Sequence, residues 1–399
     1  MRITTANSFA ATVDNLQQRQ QDLQLAQDRL TSGKRVARAS DDPAAAARVE
    51  RALATSARAV ADQRGLQASR SAMQQVEAAL GGATEAMQQV RELLVAAGNG
   101  SYSDAERANL GARIRGLREQ LLSIANRGDG SGGYLFGGQG ATTIPFLDTP
   151  AGVMPAATGG QSELSGTDAM PITVDGQAIW LAARSGNGVF VTAAAAGNGS
   201  GAWIDAGSVV DPSALTGDDY RIDFTVAAGV TTYSVLRNGA ATAQLNLPYV
   251  AGQAIEFDGM AVTVQGAPAN GDRFDVTPST PQLSLFDVLD RVAGELQAGG
   301  RSSAQVAQTV SSGLRDIDAS FGSLQMQRAM AGESLNRIDS VEGRLAETQL
   351  SAQTERSLAE DLDMVQALSD FQAKQSGYDA ALSTYSLVQR MSLFQYLNG

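Results

Sequence analysis

Apolar residues near both ends of the chain recur at steps of three and four, which places them along one face of a helix. Over residues 6–32 this stripe consists of Phe9, Val13, Leu16, Leu23 and Leu30, and glutamines occupy its two remaining positions. A second stripe, over about 357–397, consists of Leu358, Leu362, Val365, Leu368, Phe371, Tyr378, Leu382, Tyr385 and Val388. Helices of this length at both ends restrict the chain to a mainly α fold, in which the two ends are most simply packed together.

Capping residues indicate where the N-terminal helices begin and end. Gly33 follows the first stripe, at the position where a left-handed residue ends many helices. Asp42 can accept hydrogen bonds from the free N–H groups of a second, Ala-rich helix, and Pro43 suits the first position of that helix. Ser103 and Glu106 have the spacing of a capping box and predict the start of a third helix.

The middle of the chain, about 129–281, has a different pattern. It is rich in Gly, Thr, Pro and Asp, and apolar residues alternate with polar ones. Residues 220–226 alternate in this way, as a half-buried strand does. Asn-Gly at 238–239 and Asp-Gly at 258–259 follow such stretches and predict two hairpins. The segment is therefore predicted to form a small antiparallel β domain.

Helix returns near residue 284, and a long amphipathic segment covers about 302–355. Ser357 and Glu360 are predicted to cap the final helix. The predicted fold class is mainly α with an inserted all-β domain: both chain ends form a long helical coiled-coil rod, with the β-rich outer domain at its tip. We expect three domains, namely a terminal helical domain (1–41 with 357–399), a helical rod domain (42–144 with 282–356) and an inserted antiparallel β domain (145–281).

Charge and composition exclude several classes of function. The net charge is -12 and the pI is about 4.6, which disfavours nucleic acid as a partner. The chain has no cysteine and no histidine, so thiol chemistry, the commonest general base and the commonest metal ligands are missing. It has no apolar stretch of about 20 residues, so we expect no membrane span, and its N-terminus lacks the apolar core of a secretory signal. We therefore expect no enzyme, no cofactor and no metal site.

Two patterns that could carry chemistry have a simpler explanation. Residues 128–133 fit the G-x-G-x-x-G pattern of a dinucleotide loop, but a helix precedes them where that loop needs a strand. Trp180, Trp203 and Tyr220 could stack on a sugar, which would make the β domain an adhesin or a carbohydrate-processing module. No convergent pair of carboxylates accompanies these aromatic residues, so packing in a core is the better interpretation.

The two terminal stripes are long, thin and diluted by Gln and Ser. Two such helices can cover each other on one side only, so an assembly surface is at least as good an interpretation as a closed core. The residues that we expect in this surface, for neighbouring subunits or a chaperone, are Val13, Leu16, Leu23, Leu30, Leu358, Leu362, Val365, Leu368, Phe371, Leu382, Leu393 and Phe394.

One run of residues closely resembles the N-terminal signature of bacterial flagellins. Residues 29–36 read RLTSGKRV and residues 39–44 read ASDDPA. Two further stretches resemble the hook-associated, junction-forming branch of that superfamily. They are RGLREQLLSIAN at 115–126, continuing to GYLFGG at 133–138, and MSLFQYL at 391–397.

The resemblance implies a structural subunit of the bacterial flagellum that joins the hook to the filament. It implies export in an unfolded state by the flagellar type III system and a cytoplasmic chaperone that holds the C-terminal helix. The implied partners are neighbouring copies, the hook-side junction protein and flagellin, and the implied location is extracellular. The signature at 29–44 does not exclude a flagellin, the bulk subunit of the filament, which is the alternative. Residues 133–138 and the stretch from Ser392 to Tyr396 favour the junction-forming branch over it.

Overall fold

The computed structural model describes residues 2–164 and 168–397, with side chains for 10–163 and 168–387. Helical ends flank an antiparallel all-β domain, which confirms the predicted fold class. The α-helices are α1 (Arg2–Ser32), α2 (Pro43–Ala97), α3 (Asp104–Ala125), α4 (Gly176–Trp180), α5 (Leu285–Gln297), α6 (Ser303–Glu360) and α7 (Met364–Leu397).

The predicted start of the last helix is wrong. α6 continues through Ser357 and ends at Glu360, so neither residue caps the helix that follows. The cap of α7 is Asp363, whose carboxylate accepts the N–H groups of Val365 and of the next residue at 3.0 and 3.1 Å. Serine and glutamate three residues apart are a capping pattern only where the helix begins, and this pair lies inside one.

A seven-residue repeat organises the two longest helices. The chain forms two compact units, Met1–Arg64 with Val341–Gly399, and Gly65–Ser340. In the second unit the buried repeat residues are Leu66, Met73, Leu80, Met87 and Leu94 on α2, and Ile317, Leu324, Ala331 and Ile338 on α6. In the first unit the same series continues as Ala45, Ala52 and Ala59 on α2 and as Ala352 and Ala359 on α6. Along this repeat the buried side chains are mostly large in the second unit and are alanine in the first.

All strand pairs of the described chain are antiparallel. The strands are β1 (Phe146–Thr149), β2 (Gly152–Pro155), β3 (Glu163–Leu164), β4 (Met170–Pro171), β5 (Phe190–Ala194), β6 (Trp203–Ile204), β7 (Ser208–Val209), β8 (Tyr220–Ala227), β9 (Val230–Arg237), β10 (Ala240–Ala241), β11 (Leu247–Pro248), β12 (Ala254–Phe257), β13 (Met260–Gln265) and β14 (Arg273–Pro278). The larger sheet has the order β10-β9-β8-β14-β5, with β11 also on β9. The smaller one has the order β12-β13-β6, with β7 also on β13.

Two-residue turns with positive φ join several of these strands. Asn238 and Gly239 have φ of 50° and 80°, and Asp258 and Gly259 have φ of 40° and 78°, as a type I′ hairpin turn requires. Both predicted hairpins are confirmed. Ala228, between β8 and β9, has a φ of 52°. That third turn is not evident in the sequence, because alanine rarely adopts the left-handed conformation.

The two sheets share one apolar core. Its buried members are Phe190, Ile204, Tyr220, Ile222, Phe224, Val235, Ile255, Phe257, Met260, Val262, Val264, Phe274 and Val276. They alternate along their strands, as residues on one face of a sheet do. Strands β1 to β4 contribute nothing to this core.

The earlier strands pack beside helices instead. Trp180, at the end of α4, is fully buried, and its ring centroid lies 5.4 Å from that of Phe136 and 6.2 Å from that of Phe286 in α5. The side chain of Asn126, just after α3, accepts the N–H of Phe146 at 3.0 Å and donates to its carbonyl at 2.9 Å. The strands that the sequence treats as one domain thus fall into two groups with different packing partners.

Candidate assembly surface

The two terminal helices pack against each other in antiparallel directions. Near one end of this pair, the N–H of Leu362 donates to the carbonyl of Gly33 at 3.0 Å. Further along, the guanidinium of Arg19 donates to the carbonyl of Gly377 at 3.4 Å. Earlier residues of α1 therefore lie beside later residues of α7. We call the described side chains of residues 10–33 and 361–387, which comprise α1, α7 and the residues that adjoin them, the terminal pair.

Half of the predicted interface residues lie on the inner side of the terminal pair. They are half-buried, and α7 is the element against which α1 packs. These residues are Val13, Leu16, Leu23, Leu30, Leu362 and Phe371. No described residue of 10–35 or 361–387 is buried, whereas seven of the 13 residues of α5 are. Two helices alone leave even their shared seam partly open to water.

A second group of predicted residues is exposed. Val365 is 83% exposed and Leu368 is 52% exposed. Leu382 is exposed as well, and so is Leu358, which lies in the last turn of α6. Further exposed apolar residues that the prediction did not include are Leu25, Met364 and Leu387. Leu393 and Phe394 lie outside the described side chains. Exposed apolar residues on this scale, on a pair with no core of its own, are typical of a surface that other chains cover.

The flagellin-like signature folds into a clasp, by which we mean residues 33–36 and 359–362. The backbone N–H groups of Arg35 and Val36 donate to the carbonyl of Glu360 at 2.7 and 3.4 Å, and the Arg35 guanidinium donates to the carbonyl of Ala359 at 2.9 Å. The Glu360 side chain, only 9% exposed, pairs with Lys34 and with Arg356, the latter at 2.8 Å. The clasp thus holds the end of α1 to the end of α6.

Acid should open the clasp. The Lys34 ammonium, and then Arg356, hold the pKa of Glu360 below its ordinary value. A carboxylate whose pKa is lowered by folding adds stability above its unfolded pKa and loses it as the pH falls through the folded pKa. We therefore expect the amide protection factors of Arg35 and Val36 to fall below about pH 4. In Glu360→Gln they should be low at neutral pH and constant across this range, and constant wild-type protection down to about pH 3 would contradict the assignment.

Gly33 ends α1 in the left-handed conformation, with a φ of 67°, and its N–H donates to the carbonyl of Arg29 at 2.9 Å. No atom lies within 4 Å of a Cβ built at this position, so a side chain would be strained by the backbone and not by a clash. In the assembled flagellum, where α1 is ordered, we expect Gly33→Ala to lower the free energy of opening of the last turn of α1 by about 1 kcal/mol. Gly116 has equal space but lies inside α3, so Gly116→Ala should raise the free energy of unfolding of the isolated chain by up to about 1 kcal/mol. Hydrogen exchange on flagella measures the first effect and denaturant unfolding the second, and equal signs for the two variants would refute the cap.

The other predicted caps lie at helix starts. Asp42 accepts the N–H groups of Ala44 and Ala45 at 3.1 and 3.0 Å, and Pro43 is the first residue of α2. The hydrogen bond from the Ala45 N–H is the main reason why the pKa of Asp42 is lowered. At α3, the N–H of Ser103 donates to the Glu106 carboxylate at 2.7 Å, and the Ser103 hydroxyl accepts the Glu106 N–H at 3.4 Å.

Two kinds of site are missing from the described part of the chain. Its acidic residues form no group of three or more that could hold a metal ion. None of its helices combines the length and the apolar content needed to cross a bilayer.

Both helical regions of the chain match known families. Residues 3–141 match the bacterial flagellin N-terminal helical region, and residues 314–397 match the bacterial flagellin C-terminal helical region. Between them, residues 191–278 match the D2-like domain of flagellar hook-associated protein 1. This last match coincides with the strands that build the all-β core, from β5 to β14.

Individual relatives resemble the chain over part of its length. Flagellar hook-associated protein 3 of Salmonella typhimurium is 35% identical over 155 residues, which cover 38% of this chain and 48% of the relative. Its Escherichia coli counterpart is 31% identical over 188 residues, which cover 45% and 57%. The chain thus spans about half the length of the curated relatives it matches. The crystal structure of Xanthomonas campestris FlgL is 28% identical, with a TM-score of 0.67, and the match covers 77% of this chain and 99% of that one.

Proposed function

The chain belongs to the flagellin family, and we propose that it is the structural adaptor that joins the flagellar hook to the filament. The similarity to proteins named flagellar hook-associated protein 3 supports this assignment within the family. So does the likeness to the solved structure of the flagellar junction protein FlgL from Legionella pneumophila. In this role the protein acts by binding neighbours and not as an enzyme.

The observation that carries the proposal is the open terminal pair. Its seam is only half-buried, and Val365 and Leu368 are exposed. Subunits of a helical tube meet through heterologous contacts, so an apolar face exposed on one copy is covered by the next. The glutamines of α1 dilute the stripe and limit association before assembly.

We further propose which partners meet which part of the chain. The terminal pair forms the inner tube, α2 and α6 form the surrounding wall, and the β domain forms the outer surface. The hook-side junction protein contacts one end of the assembled copies and flagellin contacts the other. The chain leaves the cell unfolded through the flagellar type III apparatus, and a cytoplasmic chaperone covers the C-terminal helix until then. Ends that fold only on assembly suit both steps.

Deletion and localisation test this function together. Removing 1–40 or 360–399 should leave a folded remnant and hooks that carry no filament, because the terminal pair is lost. Antibody against the full chain should mark a short band at the base of purified filaments. Wild-type motility from either deletion refutes the adaptor role. Labelling along the whole filament would instead identify a flagellin, the alternative that the two matched helical regions share with the adaptor.

A further inference from the structure

One face of α2 carries basic side chains without acidic partners. Arg51 and Arg58 are exposed, and each donates from Nε to a carbonyl of its own helix, that of Ala47 and that of Ala54, at 3.3 Å. No carboxylate of the described chain pairs with either of them. Arginines that fold back onto their own helix remain available to an outside partner, because those hydrogen bonds are weak and solvent-exposed.

The helix face that carries these arginines is buried further along α2. Counting in steps of seven from Arg51 and Arg58 leads to Ala72, Ala79, Ala86 and Leu93, all of which are buried or nearly so. A step of seven residues returns to the same face of a helix. The face is therefore closed by the chain's own residues along the later part of α2 and open, and basic, along its first turns.

A groove adjoins the basic face. It is an open groove of about 680 Å³ between α2 and α6, and Arg48, Arg51 and Arg344 line it together with Glu347 and Glu355. The buried side chains of Ala52 and Ala352 line it as well. Arg48 forms an ion pair with Glu355 at 2.7 Å, whereas Arg51 forms no ion pair with a described residue and can bind an acidic ligand.

The same unit carries the complementary charge on another surface. Residues 361–373 contain three carboxylates, Asp361, Asp363 and Asp370, and no basic residue, and Lys374 follows. Asp363 and Asp370 are exposed and seven residues apart, as Arg51 and Arg58 are. At 1.5 Å per residue both pairs span about 10 Å on one helix face. Two helices laid side by side could thus form two ion pairs at once.

We propose that the Arg51–Arg58 face of one copy docks on the Asp363–Asp370 face of the next copy in the assembly. This inference rests on the proposed function, since it names the contact by which successive copies meet. Val365 and Leu368 lie on a different flank of α7, so a third copy or a partner can cover them at the same time. A basic face that meets an acidic one is heterologous, as a helical tube requires.

Charge reversal tests the contact. Arg51→Glu, Arg58→Glu and Asp370→Arg should each reduce the contact about tenfold or more, because each places like charges opposite one another. Asp370→Arg should be rescued by one of the two arginine reversals: by Arg58→Glu if the helices run parallel, and by Arg51→Glu if they run antiparallel. Arg113→Glu, at an exposed arginine of α3, changes the net charge equally and should have no effect. Asp363 stays unchanged, because it caps α7.

The absence of cysteine from the chain provides the readout. Ala54→Cys and Ala373→Cys, both at exposed positions, would lie about 10 Å out of register in either orientation. A bismaleimide cross-linker should therefore join them and give multiples of the 41.4 kDa chain on isolated flagella. Each single charge reversal should remove these bands, and the rescuing double reversal should restore them. No bands, bands unaffected by Asp370→Arg, or no rescue by either arginine reversal would overturn the proposal. Antibody labelling of the same flagella reports the adaptor role separately, since a band at the filament base is expected whether or not this contact exists.

Discussion

Val365→Ser combined with Leu368→Ser abolishes filament growth from hooks and leaves the isolated chain as stable as before. The two side chains are 83% and 52% exposed, so the free energy of unfolding should change by no more than about 0.5 kcal/mol. In the assembled flagellum each would be covered by a neighbour, which contributes about 1.5–3 kcal/mol per side chain at every copy. Filament counts on cells and denaturant unfolding of the purified variant measure the two effects.

Val95 provides a matched control for this variant. It is 53% exposed on α2, outside the terminal pair, so Val95→Ser should spare both filament growth and stability. A double variant that still grows filaments would show that the exposed apolar flank of α7 has no role in assembly. A double variant that unfolds several kcal/mol more easily would show that its own chain covers these residues.

Trp180→Ala lowers the free energy of unfolding of the unit Gly65–Ser340 by about 3–5 kcal/mol. The ring is fully buried between Phe136 and Phe286, and truncation leaves a cavity that two rigid aromatic neighbours cannot fill. Denaturant unfolding followed by circular dichroism measures the loss. Circular dichroism is the suitable probe because the variant removes one of the two tryptophans that would report by fluorescence.

Trp203, the other tryptophan, is the control. It is only half-buried in β6, so Trp203→Ala should cost about 1–2 kcal/mol. A smaller loss for Trp180→Ala than for Trp203→Ala would contradict the packing of Trp180 between Phe136 and Phe286. The burial of Trp180 also excludes it from sugar binding, since a fully buried indole offers no face to a ligand.

Local signals predict local structure in this chain. The capping patterns at Asp42 and Ser103 and the Asn-Gly and Asp-Gly turns act within a few residues, so the sequence shows them directly. The end of α6 is contacted instead by Lys34, Arg35 and Val36, which meet Glu360 from more than 300 positions away. No pattern within 350–370 reveals that contact. For the same reason the Ser357 and Glu360 spacing was misleading.

The sequence also could not divide the terminal stripes into inner and outer faces. Leu23 and Leu368 are both apolar residues on a helical repeat, yet the first is half-buried against α7 and the second is exposed. The distinction depends on which flank of each helix meets the other, and a stripe broad enough for two contacts does not specify it. The structure supplies this distinction and so selects Val365 and Leu368 as the residues to change first.

Hydrogen exchange of the lone polypeptide compared with the assembled flagellum examines the open terminal pair most directly. In dilute solution the amides of 10–32 and 364–387 should exchange rapidly while those of 66–94 and 317–338 stay protected, and assembly should slow the first group. Slow exchange at both chain ends before any neighbour is present would mean that the molecule closes its own seams, and the role assigned to them would be lost.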